Sequence, residues 1–212
     1  MKLHRNRQTF LDTLAAVRPL VASQNVAERW NEPSVLSEFS VRGLTGHLAR
    51  AAFTVELYLD AESTILGDPI SPAEYFANYP ADIDAPLNVA VRARGEELAS
   101  QGHEHVVGLF DELAARLRDR LQREPSDRIV VGARGAVMRL DEYLVTRLVE
   151  LVVHADDLAL SVELGVTELP REALDIVIGC MLDIARYRHG DLAVIRAFSR
   201  RERDVVAALR VF

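Results

Sequence analysis

The sequence predicts an all-α fold, an up-and-down helical bundle with one small β-hairpin, and three observations carry that prediction. Apolar residues recur at three- and four-residue steps through most of the 212 positions. The segments so patterned are longer than ordinary strands and are separated by Pro- or Gly-bearing breaks. Only residues 128–131 and 136–140, flanking Gly132-Ala133-Arg134-Gly135, have the pattern of paired short strands around a turn.

Taken in order, residues 6–29 set Phe10, Leu14, Val17, Leu20 and Val21 at helical spacing and lead into a turn at Pro33. Ser40 is the expected N-cap of a second helix over 41–61, whose apolar face holds Leu44, Leu48, Ala51, Ala52, Val55 and Leu59. Residues 67–86 contain four prolines and read as a loop. A third long helix is predicted over 87–122, with Gly102 and Gly108 as the places where it would break. The most apolar helix follows over 141–164, and another over 171–187. Gly190 and Asp191 read as a stop and a new N-cap, opening a basic segment that runs to Phe212. The length suits one domain, 1–212, with its core in 6–164 and a helical extension over 165–212. No repeat and no low-complexity tract interrupts it.

Composition excludes several classes of function. With 49% hydrophobic and 27% charged residues the chain is an ordinary globular sequence, and its net charge of -7 argues against nucleic acid as the main partner. No stretch is long and uncharged enough to span a bilayer, and no apolar core follows the charged Met1–Arg7 segment, so a cytoplasmic protein without a membrane partner is expected. Cys180 is the single cysteine, which excludes an intramolecular disulfide and a multi-cysteine zinc site. It stands among Ile176, Val177, Met181 and Leu182, as a core thiol would. Lys2 is the single lysine beside 24 arginines, which removes phosphate-loop, kinase-type and internal Schiff-base chemistry.

The chemistry concentrates in residues 144–158. Glu150 and His154 are four apart, so on a helix they share one face, while Leu148, Val149, Leu151, Val152 and Val153 occupy the others. A carboxylate in such surroundings costs several kcal/mol unless a cation, a hydrogen-bond network or a metal compensates it. Glu-x-x-x-His offers a metal one oxygen and one nitrogen; a third ligand must come from elsewhere. Of the other histidines, His4 lies near a terminus, His103 and His105 point to different sides of a helix and read as surface residues, and His189 precedes a helix stop. His47 differs, standing among Leu44, Leu48 and Ala51 on a packing face, where an interior histidine is the ordinary reading.

Two runs together resemble a known family. The segment from Trp30-Asn31-Glu32-Pro33 through Gly43-Leu44-Thr45-Gly46-His47-Leu48, and the later Glu150-Leu151-Val152-Val153-His154-Ala155-Asp156-Asp157-Leu158, are similar in order and separation to the mycothiol-dependent maleylpyruvate isomerase family of DinB-like four-helix bundles. Phe39 and Gly43 depart from the family's usual tryptophan and acidic residue. The resemblance implies a metal held by His47, Glu150 and His154, with mycothiol, a cysteinyl sugar thiol, as cosubstrate. Zn²⁺ suits two imidazoles and a carboxylate, and Ni²⁺, Co²⁺ or Fe²⁺ would also be accepted. The typical isomerase has a further C-terminal domain, for which the residues after Arg171 are too few, so maleylpyruvate itself is not the expected substrate.

The expectation is therefore a mycothiol-dependent S-transferase or cis-trans isomerase acting on a small electrophile, as a monomer or homodimer. The alternatives are a metal-dependent hydrolase and a non-catalytic metal-containing binding or stress-response protein. Asp157, three residues beyond His154, is expected to orient an imidazole or bind the thiol's amides. Arg188 and His189, with Arg186, are candidates to meet a carboxylate-bearing substrate. Asp156 and the cluster Arg196, Arg200, Arg201 and Arg203 read as solvated.

Overall fold

The predicted helical periodicities become a ring of four long helices in the computed structural model, which describes residues 5–62, 67–80, 82–165 and 167–199. They are α1 (Arg5–Val21), α3 (Val41–Asp60), α6 (His103–Arg123) and α7 (Leu140–Ser161). α1 and α3 each pack on both α6 and α7. Arg7 meets Asp141 and the α6 carbonyl end, whereas Thr54 meets Tyr143 and Glu56 meets Arg116. Hence α1 and α7 run one way and α3 and α6 the other.

Each helix buries the stripe its spacing dictates. α6 is the plainest case, burying Val106, Phe110, Leu113, Leu117 and Leu121 at three- and four-residue steps and leaving arginines and acids outside. Phe10, Leu14, Leu44, Leu48, Leu144 and Leu148 belong to the same hydrophobic core as that stripe. Arg7 closes the end of the ring. Although only 2% exposed, it donates to Leu121 O, Glu124 O and Pro125 O at the α6 terminus, and to Asp141 Oδ1 at the start of α7. A cation is favourable there, against the carbonyl end of one helix and the acidic first turn of another.

Five further helices flank the ring among the described residues: α2 (Gln24–Glu28), α4 (Pro72–Ala77), α5 (Pro86–Leu98), α8 (Arg171–His189) and α9 (Asp191–Ser199). The hairpin pairs β1 (Ile129–Val131) with β2 (Val137–Arg139), Val130 opposite Met138. α5 lies unusually close along α3. A Cβ on Gly46 would sit 2.1 Å from Gly95 O, and one on Gly95 2.7 Å from Gly43 O, so three glycines permit the approach. This contact lays the α5 arginines beside His47.

Several boundaries differ from the sequence expectation. The predicted loop 67–86 contains α4, because Pro72 stands at the first helical position, where its missing N–H costs nothing, and Ser71 with Glu74 completes a capping box. The first helix stops at Val21, and Ser23 caps the separate α2. The long third helix is two helices: Gly102, at φ 100°, takes the left-handed turn that starts α6, while Gly108 is accommodated without a break. His103 is not a solvated surface residue. It is half-buried, its Nε2 lies 2.7 Å from Val21 O, and the Trp30 ring meets it edge-on. His4 and Arg200, Arg201 and Arg203 lie outside the described residues. Among the described residues no helix is long and apolar enough to cross a membrane.

Candidate metal centre and its cavity

The antiparallel crossing of α3 and α7 brings His47 opposite Glu150 and His154, in the register that also sets Thr54 on Tyr143. Glu150 Oε2 stands 3.1 Å from His47 Nε2 and 3.3 Å from His154 Nε2. The two rings meet edge-on with centroids 4.8 Å apart. All three side chains are less than one-fifth exposed. Behind them, Asp157 Oδ2 lies 3.0 Å from His154 Nδ1, and the Arg147 guanidinium stands 3.8 Å from Glu150 Oε1.

These contacts set the charges. Burial opposes ionisation of Glu150, but the hydrogen bonds of His154 and His47, with Arg147 nearby, hold its carboxyl well below the usual range. Burial also pulls His154 down; Asp157 and Glu150 outweigh it and lift the imidazole to about 9. His47 goes the other way, since burial dominates its interaction with Glu150 and favours the neutral ring. Arg147 stays cationic: burial works against its charge, yet Tyr143, Tyr75 and Glu150 raise its pKa.

The donor set fits a divalent metal. One ligating atom from each of His47, Glu150 and His154 lies within 4.8 Å of the others. Asp157 accepts the Nδ1 proton of His154 and so leaves Nε2 free to ligate, the usual outer support of a ligating histidine. His47 Nδ1 is buried with no hydrogen-bond partner, so hydrogen bonding alone does not account for that ring's place. Two imidazoles and one carboxylate leave a tetrahedral ion one open position, the catalytic rather than the structural pattern.

The cluster forms one wall of a cavity of about 260 Å³ between α3, α5, the segment after α4 and the hairpin turn. Arg50, Thr54, Tyr58, Tyr79, Asn88, Arg92 and Arg94 supply its other polar lining, and Phe39, Ile83 and Val91, with Ala133, its apolar lining. Arg134 in the hairpin turn fixes Tyr79 from outside, its guanidinium 4.4 Å over the ring while it donates to Asn78 O and Tyr75 O. Burial, then Tyr75, push the Tyr79 hydroxyl upward, so it stays protonated. A more open cleft of about 540 Å³ lies elsewhere, near Arg5, Glu142, Asp175 and Cys180; burial pushes the Cys180 thiol up to about 12.

Of the residues singled out in the sequence, His47, Glu150, His154 and Asp157 come together. Arg188 and His189 do not join them: Arg188 donates to Phe76 O, and His189 is exposed at the end of α8. Asp156 is exposed, as a solvated carboxylate would be. Sequence reasoning missed Arg50, Tyr79, Arg94 and Arg147. Arg50 and Arg147 were within reach, each three residues along a helix from a ligand candidate and thus on its face. Tyr79 and Arg94 were not, since only tertiary packing brings them in.

Fold and cluster together define an all-α bundle carrying a three-donor His-Glu-His group in a cavity wall. The chain belongs to the family of the mycothiol maleylpyruvate isomerase N-terminal domain, whose model matches residues 10–159, and through it to the DinB-like superfamily. The match spans every member of the cluster and ends before α8. No curated protein and no solved structure matches the chain.

Proposed function

We propose that this protein is a cytoplasmic, metal-dependent enzyme that uses a small thiol, mycothiol in the first instance, to attack a small electrophile, as an S-transferase or a cis-trans isomerase. The observation that carries the reading is the convergence of His47 Nε2, Glu150 Oε2 and His154 Nε2 on one point of the cavity wall. His47, Glu150 and His154 would hold the ion, zinc before nickel, cobalt or iron. When bound, it supplies the positive charge that keeps a thiol as its thiolate near neutral pH, where a free thiol with a pKa near 8.5 is mostly protonated.

The chain's own groups do the rest. Asp157 holds the His154 Nδ1 proton, fixing the ring's tautomer and orientation. Arg147 stands by Glu150 Oε1, leaving Oε2 to face the histidines. The Tyr79 hydroxyl, kept neutral and 3.2 Å from the Tyr75 hydroxyl, would donate to an oxygen of a bound electrophile when Tyr75 donates to it. Phe39, Ile83 and Val91 limit water on the apolar side.

The test begins with metal analysis. About one divalent ion per chain is expected, and His47→Ala, Glu150→Ala and His154→Ala should each lose most of it; full occupancy in all three sinks the assignment. With cobalt in place of zinc, adding mycothiol should produce a sulfur-to-metal charge-transfer band. Absence of that band, together with cleavage of an ester or amide without thiol, replaces this reading with a hydrolase. Metal without any turnover points to a binding protein.

A further inference from the structure

We infer that Arg50 and Arg94 form an anion subsite in the cavity, which holds a carboxylate or phosphate carried by the electrophilic substrate beside the His47-Glu150-His154 cluster. The inference deepens the proposed function and rests on it for the identity of the ligand as substrate; the subsite itself stands on separate observations.

The first is an imbalance of charge. Three arginines, Arg50, Arg92 and Arg94, line the cavity against one carboxylate, Glu150, which is already engaged by both histidines. The other cavity arginine has a partner: Arg92 donates to Ile83 O. The side chains of Arg50 and Arg94 make no ion pair or hydrogen bond to protein among the described residues, although the Arg50 carbonyl accepts from Thr54 Oγ1. Arg50 has only the Phe53 ring, 5.7 Å from its guanidinium carbon. Arg94 Nε is buried with no acceptor at all. The surface arginines of this protein behave differently, with Arg18, Arg116 and Arg186 each held by carboxylates.

The second is placement. Arg50 follows His47 by three residues, so both project from one face of α3 into the same cavity. Arg94 comes from α5, which the Gly43, Gly46 and Gly95 contact presses against α3. Burial, and next the like charge of Arg94, hold the Arg50 pKa below its ordinary value, as expected of two cations facing each other without a counter-ion. Like charges half-withdrawn from water are costly, and an anion bridging the two guanidinium forks turns that cost into charge-assisted hydrogen bonds. The cavity volume of about 260 Å³ limits the ligand to a small molecule, its anion at the arginines and its reactive carbon toward the cluster.

The experiment uses the full chain freed of metal, so that no anion is held by an ion. Calorimetric titration with succinate, its uncharged diamide and inorganic phosphate should show binding of at least one anion and none of the diamide. Succinate against phosphate tells which head group fits. Affinity for that anion should fall about tenfold or more in Arg50→Met and in Arg94→Met, the size expected for losing a charged hydrogen-bond partner. Arg50→Lys and Arg94→Lys keep the charge without the fork and should lose less, while Arg116→Met, outside the cavity, should bind like the parent; circular dichroism verifies folding of each. No anion binding, binding undiminished in the Met and Lys variants alike, or binding that requires metal and ignores the arginines would overturn the subsite. In zinc-loaded protein, N-acetylcysteine and its uncharged amide should bind equally. Tighter binding of the acid, lost in Arg50→Met, would move the anion onto the thiol and overturn its place on the electrophile. Anion binding that persists where metal and thiol binding fail would leave the subsite standing while the enzyme reading falls.

Discussion

His154 is held between two carboxylates, and that sets what the centre does with protons. Its pKa of about 9 lies above the ordinary 6.5, so in metal-free protein it is an imidazolium at neutral pH. A metal needs the Nε2 lone pair, and binding near pH 7 should therefore expel about one proton per chain from His154. Calorimetry in buffers of differing ionisation enthalpy measures that number, and Asp157→Asn should lower it while weakening metal binding about 10–100-fold. A proton count unchanged by Asp157→Asn would disconnect the carboxylate from the ring. The stability consequence has a definite sign. A raised folded pKa contributes stability that is full below about 6.5 and disappears as pH rises through about 9, so the melting temperature of metal-free protein should fall between those values. His47, with its lowered pKa, acts on the acid side instead: its neutral folded form loses stability as pH falls through 6.5. Metal-loaded protein should lose the alkaline slope, since a ligating His154 carries no extra proton, and keep the acid-side one, because both ligating rings stay neutral while the unfolded chain protonates them.

At the scale of elements, the α3–α5 contact ties backbone packing to the site. Gly46 adjoins His47, and its missing Cβ is what lets Gly95 O approach; a side chain there must push α5 away. Gly46→Val should cost about 1–3 kcal/mol as overpacking, read as a lower denaturant midpoint. It should also weaken anion binding to the cavity, because Arg94 travels with α5. Undisturbed stability and anion binding together would mean that α5 is not seated there. The same region shows what was legible in advance. Ser40 capping α3, and the shared face of Glu150 and His154, are local periodicities that sequence displays. The pairing of His47 with them, across 103 residues, became visible through the family resemblance, not through spacing. α4 is hidden from the sequence because four prolines look like breakers although Pro72 begins a helix. Arg188 and His189 looked suitable by type, but the packing of α8 on α4 turns Arg188 to Phe76 O, a fact no local pattern encodes.

For the whole molecule, the bundle core and the His47-Glu150-His154 cluster are separable. The large buried side chains, Phe10, Phe110, Leu113 and Leu117 among them, belong to a core that does not include His47, Glu150 or His154. Arg7 ties three carbonyls and Asp141 together at one end, whereas His154 stands 13 residues along α7 from Asp141, about 20 Å at 1.5 Å per residue. Stripping the metal should therefore lower the melting temperature yet leave the helical circular dichroism nearly intact, unlike a zinc finger, which unfolds. Arg7→Met should cost about 3 kcal/mol, since it leaves buried carbonyls without donors and Asp141 without its cation. Two perturbations that far apart, with no shared partner, add to within about 0.5 kcal/mol. Metal removal from Arg7→Met should accordingly give the sum of the separate losses in chemical denaturation. A total clearly different from that sum would show that the tie at the bundle end and the ligands on α3 and α7 form one cooperative network, and that the ion helps hold the fold together.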